Sequence, residues 1–210
     1  MRRLLRLICP VLSALLLAMP LPSRATPEPA FDITRRLGEI EIRRYAPYVV
    51  AEVTINGPAD EAGNRAFPIL AAYIFGKNKG QRQLEMTAPV TQSAAPVKLE
   101  MSAPVTQAAG ADGGQLVQFV LPAGVTLSSA PEPLDPRVGL REIPARSVAV
   151  VRYSGFWSAA NYAEHLEQLK AALVGAGLAW SGEPVFSRYN PPFTPWFLRR
   201  NEIWLELPGP

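Results

Sequence analysis

The sequence predicts an α+β fold: a distorted, mostly antiparallel β-barrel with two helices, built from two similar β-α-β halves. Three observations support this class. Short segments of alternating or β-branched apolar residues recur along the chain, most connections between them are too short for parallel crossovers, and a series of strand pair, helix and strand pair occurs twice. A bent sheet is the alternative to a closed barrel.

Residues 1–25 have the three parts of a secretory signal peptide. Three arginines precede an apolar run from Leu7 to Met19, and Ser23-Arg24-Ala25 forms a small-x-small cleavage site. An uncleaved membrane anchor is the alternative, but Pro10 interrupts a run that is shorter than the ~20 residues a span needs. We therefore expect cleavage after Ala25 and a single exported domain over residues 26–210, periplasmic or secreted, without a transmembrane segment.

Loss of this segment changes the charge and the thiol content of the chain. Four of the 21 basic residues and none of the 18 acidic residues lie in it, so the net side-chain charge falls from +3 to −1. The basic excess of the full chain therefore does not indicate nucleic-acid binding. Cys9 is lost as well, which leaves neither a thiol nucleophile nor a thiolate metal ligand.

One stretch occurs twice, as Leu84-Glu-Met-Thr-Ala-Pro-Val-Thr-Gln92 and as Leu99-Glu-Met-Ser-Ala-Pro-Val-Thr-Gln107. Apolar residues alternate with polar residues or proline in each copy, which predicts two strands that each have one buried face. The short connection over residues 93–98 favours antiparallel neighbours. Pro89 and Pro104 cannot donate to a ladder, so each copy should leave the sheet at an edge, a bulge or a corner.

The other elements are predicted by alternation and by turn residues. In the first half we expect strands over Glu39–Tyr45, Tyr48–Ile55 and Gln115–Leu121, and a helix over about Ala59–Phe75. In the second half we expect strands over Val138–Ile143, Ser147–Tyr153, Glu183–Tyr189 and Glu202–Leu207, and a helix over about Ala159–Val174. A proline-rich connection over Pro122–Pro136 separates the halves.

The first predicted helix has a wider apolar surface than a helix covering a sheet needs. Its two apolar stripes are Phe67, Leu70, Ala71 and Ile74, and Ala62, Ala66, Ile69 and Tyr73. The second stripe could line a groove or meet another element of a closed core, and the pattern by itself favours the core. Pro68 should kink or interrupt the helix, and Lys77 follows its end, where a cation meets the negative end of the helix dipole.

The usual catalytic constellations are absent from the sequence. It has no Gly-x-Ser-x-Gly, no phosphate-binding glycine loop with its lysine and no His-Glu-x-x-His. A mature chain with one histidine and no cysteine cannot form a Cys/His pair or a histidine-based metal cluster. Met86 and Met101 could offer sulfur to iron, but inward strand positions favour core packing. We therefore expect neither an enzyme nor a metal centre.

Two further features could contribute to a binding site. His165 lies at the edge of the apolar stripe of the second helix, where packing is the commoner role. Residues 189–204 concentrate aromatic rings in a loop with several prolines, followed by Arg199 and Arg200. This loop could cap a flat apolar ligand with an arginine on its carboxylates, or it could seal the barrel with the arginines paired to local acids.

Four motifs in this order make the chain resemble the SOUL / haem-binding protein family. They are Glu41-Ile-Arg-Arg-Tyr45, Tyr73-Ile-Phe-Gly-Lys-Asn78, the doubled Met-Thr/Ser-Ala-Pro-Val segment, and Tyr189-Asn-Pro-Pro followed by Arg200-Asn-Glu-Ile-Trp204. The resemblance extends from about Phe31 to Leu207, and the doubled segment is similar to bacterial members. It implies a distorted barrel with two helices, built from a duplicated unit and related to bacterial effector-binding domains.

The resemblance also implies non-covalent binding of haem or another tetrapyrrole in an apolar groove by the first helix, with basic groups near the propionates. The candidate site residues are Arg44, Tyr45, Phe67, Leu70, Ala71, Ile74, Lys77, His165, Phe193, Trp196, Arg199 and Arg200. Some relatives have a histidine immediately before the equivalent of Tyr45, where this chain has Arg44. Either His165 or Tyr45 would then ligate iron, or apolar contact and propionate pairing would hold the porphyrin.

The expected function is that of an exported carrier or buffer of haem or a related porphyrin. A general binding module for apolar small molecules is the first alternative. The second, with the least support, is an enzyme that uses Glu41 or Tyr45 in the same groove.

Overall fold

The computed structural model describes residues 28–94, 114–190 and 193–209, which form an antiparallel sheet with two α-helices on it. The strands are β1 (Phe31–Leu37), β2 (Ile40–Tyr45), β3 (Tyr48–Ile55), β4 (Val90–Ala94), β5 (Gln115–Val120), β6 (Gly139–Ile143), β7 (Arg146–Tyr153), β8 (Ser181–Arg188) and β9 (Asn201–Glu206). Helix α1 spans Ala59–Ile74, helix α2 spans Ala159–Gly175, and a 3₁₀ turn covers Trp196–Leu198. The predicted α+β class, with a mostly antiparallel sheet and two helices, is confirmed.

Most predicted elements begin and end within two residues of the observed ones, but the repeated stretch is different. Its first copy is a strand only from Val90 onward, so the prediction of a strand from Leu84 is wrong. The backbone N–H of Leu84 donates to the carbonyl of Ile74 at 2.8 Å, which ties this segment to the end of α1 instead of to a strand. The second copy lies outside the described residues.

Strand β1 was not predicted by the alternation rule, because its side chains are largely exposed on both faces. It pairs with β2 from Phe31 opposite Tyr45 to Leu37 opposite Ile40. An edge strand of this kind is held by its ladder and not by a buried face, so its sequence carries little apolar periodicity.

The strand order is β1-β2-β7-β9-β8-β4-β5-β3-β6, and all neighbours are antiparallel. The order is symmetric about the β8–β4 junction: β7-β9-β8 of the second half corresponds to β3-β5-β4 of the first. Strands β2 and β6 each pair with the opposite half. The described strands form an open sheet that ends at β1 and β6, so barrel closure and a duplicated origin stay predictions.

Both helices pack on the same face of the sheet. Helix α1 places Leu70 against a cluster that includes Val53 and Phe119, and α2 places Leu169 against a second cluster that includes Val151. These strand residues alternate with others that point to the opposite face, as the pleat requires. That helix-free face carries a third cluster with Tyr45, Val148, Val150 and Trp204.

Helix α1 continues through Pro68 and does not end there. Asp60 and Glu61 lie in its first turn, where the positive end of the helix dipole favours acidic side chains. Neither helix in the described part of the chain is long and apolar enough to cross a membrane.

Burial of Leu70 should contribute strongly to stability. Its side chain is 0% exposed, so Leu70→Ala should lower the free energy of unfolding by about 2–5 kcal/mol through lost transfer energy and a cavity. The matched control is Leu127→Ala at an exposed position, which should cost far less. Urea denaturation of both variants measures the difference, and equal losses would contradict the proposed role of Leu70.

Candidate ligand-binding site

An open groove of about 580 Å³ lies between one side of α1 and the loop that connects β5 to β6. Its apolar walls are Pro68, Ile69, Ala72 and Tyr73 on the helix and Pro133, Leu134 and Val138 on the loop. Lys77, Asp135 and Arg137 supply its charged groups. This size falls within the ~300–1,000 Å³ of typical small-molecule sites, and the mixture of apolar walls and a few charges is also typical of them.

The loop wall is fixed to the end of the helix by hydrogen bonds. The Tyr73 hydroxyl donates to the carbonyl of Pro131 at 2.9 Å, and the Lys79 N–H donates to the carbonyl of Glu132 at 2.8 Å. Asn78 is buried and donates its Nδ2 to the carbonyls of Tyr73 and Arg82, at 2.9 and 2.7 Å. These bonds satisfy backbone groups at the helix end, so the groove has a preformed shape.

The charged end of the groove contains two cations and one acid. Arg137 pairs with Asp135 at 2.6 Å, and this guanidinium lowers the pKa of the Asp135 carboxyl to about 2. Both partners remain accessible to water, so the pair is worth little stability and can be exchanged for a ligand carboxylate. Lys77 is exposed on the helix side of the same groove.

The groove residues offer poor axial donors for a metal. Burial raises the pKa of Tyr73 to about 12, and its hydroxyl is already committed to Pro131. No histidine, cysteine or methionine is among the groove residues. Across the described part of the chain, no group of three or more His, Cys, Asp or Glu side chains is placed to hold a metal ion.

Of the candidate residues on or just after α1, only Lys77 lines the groove. Leu70, Ala71 and Ile74 are buried in the core, and Phe67 lies edge-on to the ring of Phe119 at 5.5 Å. The groove is lined instead by Ile69 and Tyr73 of the second predicted stripe, together with Ala72. Both stripes contribute to the core, because Ala62, Ala66 and Tyr73 of the second stripe are buried there as well. The width of the apolar surface was the signal for the groove positions.

Tyr45 belongs to a different cluster, on the helix-free face. It is buried, its ring lies 5.1 Å from those of Phe31 and Trp204, and burial raises its pKa to about 12. Its hydroxyl accepts a hydrogen bond from Arg43 at 3.3 Å. Arg44 is exposed, on the opposite face of β2 from Arg43.

The centre of that cluster is Glu202, which is 0% exposed. Its Oε2 accepts from Arg43 at 2.9 Å, from the Tyr189 hydroxyl at 2.8 Å and from the Trp204 indole at 2.8 Å. Its Oε1 accepts from Arg200 Nε at 3.0 Å and from the second Arg43 nitrogen at 3.2 Å. Sequence reasoning missed Glu202 and Arg43, although both stand inside the quoted family motifs.

His165 lies on α2, so it is on the other helix from the groove. Its ring stacks on Tyr153 with a centroid distance of 4.1 Å. Its Nδ1 donates to the carbonyl of Asn161 at 2.7 Å, which fixes the tautomer that leaves Nε2 without a proton when the ring is neutral.

The C-terminal loop also lies apart from the groove. Phe193 and Trp196 are exposed, and Trp196 stacks on Phe156 at 5.3 Å. Arg199 lies 4.4 Å from the ring of Trp157. Arg200 pairs with Glu202 at 2.8 Å and also with Glu28 at 3.0 Å, so this arginine has the arrangement of the second alternative, pairing with local acids.

Solved structures with the same fold support the architecture. The C-terminal domain of EcmrR aligns with a TM-score of 0.57 and 12% identity, over 81% of this chain and 98% of that domain. A hydrolase from Listeria innocua aligns with a TM-score of 0.54 and 13% identity, over 81% of this chain and 92% of the hydrolase. At these identities the likeness concerns the fold alone.

The sequence defines the family more narrowly. The model of the SOUL heme-binding protein family matches residues 26–206, and the chain belongs to this family. Heme-binding protein 1 of Mus musculus is 29% identical over 159 residues, which cover 75% of this chain and 77% of that protein. Heme-binding protein 2 of Homo sapiens is 28% identical over 186 residues, which cover 88% of this chain and 82% of that protein.

Removal of the Glu202 charge should destabilise the fold. Glu202→Gln removes the fully buried counter-ion of Arg43, which is 3% exposed, and leaves it with Glu41 alone, so the free energy of unfolding should fall by up to about 3–5 kcal/mol. Glu206→Gln, at a half-exposed acid on the same strand, is the control and should change it by less than about 1 kcal/mol. A small loss in both variants, measured by urea denaturation, would contradict the central role of Glu202.

Stability should also fall in alkali. The pKa of Tyr45 is about 12 in the fold against about 10 in the unfolded chain, so its contribution is present below pH 10 and is lost as the pH rises toward 12. Tyr45→Phe should remove roughly 2–3 kcal/mol of this pH dependence, at about 1.4 kcal/mol per pKa unit. Urea denaturation at pH 9 and pH 12 tests this, and identical losses in variant and wild type would refute it.

Proposed function

We propose that the protein binds haem or another tetrapyrrole non-covalently in the groove beside α1 and acts as its carrier or buffer. Family membership supports the ligand class, and the relatives described above are named heme-binding proteins. The observation that carries the proposal is the groove itself, with apolar walls of helix and loop and with Lys77 and Arg137 at its charged end.

The residues of the groove fit the periphery of a porphyrin. A porphyrin is a flat apolar disc with acidic propionates at one edge, and the walls of Ile69, Ala72 and Leu134 offer it an apolar contact. Lys77 and Arg137 would pair with the propionates, because guanidinium and ammonium groups form charge-assisted hydrogen bonds with carboxylates. Asp135 would give up its pair with Arg137 when a propionate binds.

The same residues do not fit axial ligation of iron. The Tyr73 hydroxyl is held by Pro131, while Tyr45 and His165 lie outside the groove. Bound haem would bring a redox-active iron, but this chain would hold it through the macrocycle and its propionates. Metal-free porphyrin should therefore bind about as tightly as haem.

Binding without chemical conversion is supported by the state of the candidate catalytic groups. Glu41 accepts a hydrogen bond from Arg43 at 2.8 Å and pairs with Arg36. Burial by itself would raise the pKa of Glu41, but the hydrogen bonds and positive charges of these two guanidinium groups lower it below its usual value. Tyr45 is buried in an aromatic cluster. Export is supported by the signal-peptide pattern of residues 1–25, and the doubled segment supports a bacterial-type member.

A binding module for other apolar molecules is the second candidate. A separate cleft of about 690 Å³ on the helix-free face supports it, with walls that include Val148, Val185 and Trp204 and with Glu183 and Arg146 among its charges. Native mass spectrometry of the protein purified from its own host distinguishes the two candidates. A tetrapyrrole mass supports the first, and a different apolar ligand supports the second.

The groove can be tested by two matched pairs of variants. Ala72→Trp should fill the groove and abolish binding of hemin and of protoporphyrin IX, whereas Ala163→Trp on the exposed face of α2 should leave it unchanged. Lys77→Ala should weaken the binding of both ligands by up to about fivefold, because one exposed ion pair contributes up to about 1 kcal/mol, while Lys79→Ala outside the groove should not weaken it. Absorbance and fluorescence titrations measure these dissociation constants.

The ratio of the two wild-type constants tests the mode of binding. The dissociation constants for hemin and protoporphyrin IX should lie within about fivefold of each other, because an axial ligand would add more than about 1 kcal/mol to the binding free energy of hemin alone. No saturable binding of either porphyrin at low micromolar concentration would refute the proposed function. Much tighter binding of hemin, lost in His165→Ala, would instead place the site at α2.

A further inference from the structure

Five large apolar side chains form an exposed patch beside the start of α2. We name it the aromatic cap: Phe156, Phe193, Trp196, Phe197 and Leu198, which are between 49% and 85% exposed. The Trp196 ring stacks on Phe156 at 5.3 Å and meets Phe197 edge-on at 5.5 Å. A contiguous exposed group of large apolar residues marks an interaction site more often than isolated ones do.

The backbone below the cap is firmly tied. The N–H of Gly155 donates to the carbonyl of Trp196 at 3.0 Å, and Arg199 donates its Nε to the carbonyl of Thr194 at 2.8 Å. Asn161 donates to the carbonyls of Ser154 and Phe156. Gly155 has φ +114° and a Cβ there would lie 2.7 Å from Asn161, so only glycine fits this joint. The rings are thus held outward by the fold.

A cationic pocket of about 610 Å³ adjoins the cap, and Phe197 and Leu198 are part of its wall. It is lined by five arginines: Arg36, Arg43, Arg152, Arg199 and Arg200. Its acids are Glu39 and Glu41. Arg152 is exposed and forms no ion pair with any acid in the described part of the chain, so its charge is available to a partner.

The sequence around the cap lacks negative charge. No aspartate or glutamate occurs from Tyr153 to Ala163 or from Pro184 to Asn201, although arginines occur at 188, 199 and 200. An apolar tip beside a pocket with five arginines and two acids is complementary to a surface that combines negative charge with an apolar interior. The interface of an anionic bilayer has this combination.

We propose that the aromatic cap and the adjoining arginine pocket dock the protein onto an anionic phospholipid surface. The rings of Trp196 and Phe197 enter the headgroup region, where aromatic side chains are favoured, and Arg152 pairs with lipid phosphates. An anionic bilayer offers phosphates to Arg152 and an apolar interior to the cap, in which only Trp196 has a polar side-chain group. The site does not include the α1 groove, so it stands independently of the proposed porphyrin binding.

Co-sedimentation of the full chain, as its host processes it, with lipid vesicles tests the proposal. The protein should bind weakly to vesicles of phosphatidylcholine alone and strongly to vesicles with about 30% phosphatidylglycerol. The fraction bound to the anionic vesicles should fall as the salt concentration is raised. The double variant Trp196→Ser/Phe197→Ser should lower the partition coefficient by roughly tenfold or more. Its control is Leu127→Ser/Val174→Ser, which removes two exposed apolar side chains elsewhere and should have no effect.

Charge and insertion are tested separately. Arg152→Glu should weaken vesicle binding on the order of tenfold. The control is Arg35→Glu, which makes the same charge change at an exposed residue of β1 on the other face of the sheet and should weaken binding less. Trp196→Phe should keep the partition but reduce the blue shift of tryptophan emission on binding. Equal thermal unfolding of all variants confirms their fold. Equal binding to neutral and anionic vesicles, or unchanged binding by the Trp196→Ser/Phe197→Ser variant, would overturn the proposal.

Discussion

The buried pair between Glu202 on β9 and Arg43 on β2 is the interaction on which the helix-free face depends. The two strands are separated by β7, so the pair reaches across one strand and links elements that share no backbone hydrogen bonds. Removing both charges from water is costly, and the five hydrogen bonds that reach Glu202 offset this cost. Two of the donors, Tyr189 and Trp204, also belong to the aromatic cluster of this face, so the pair and the rings share their positions.

The aromatic cap and the α1 groove are held in place by different interactions. Arg200, at the start of β9, is held by Glu202, which fixes the point where the aromatic cap returns to the sheet. The α1 groove depends on a different fixed point, the hydrogen bonds of Asn78 and Tyr73 at the helix end. A ligand bound in the groove and a surface bound at the cap would therefore contact two parts of the domain that are stabilised by separate sets of interactions.

Much of the fold could be predicted from the sequence, because alternation and turn residues are local signals. The rotation of α1 could not, since both apolar stripes contribute to the core and only the packed structure shows that Ile69 also borders the groove while Phe67 stays partly exposed. Lys77 was found because it follows the helix end, whereas Arg137 enters the groove through a loop held by distant hydrogen bonds. The buried Glu202 was missed because nothing local distinguishes it from a surface acid.

Each half of the chain contributes one strand to the ladder of the other half. Strand β2 comes from the first half but completes the ladder of β7, and β6 comes from the second half but completes that of β3. A fragment that ended near residue 130 would leave β3 without β6 and β2 without β7, so neither half is an autonomous folding unit. The two halves are expected to fold and unfold together, and separately produced fragments should acquire structure only when mixed.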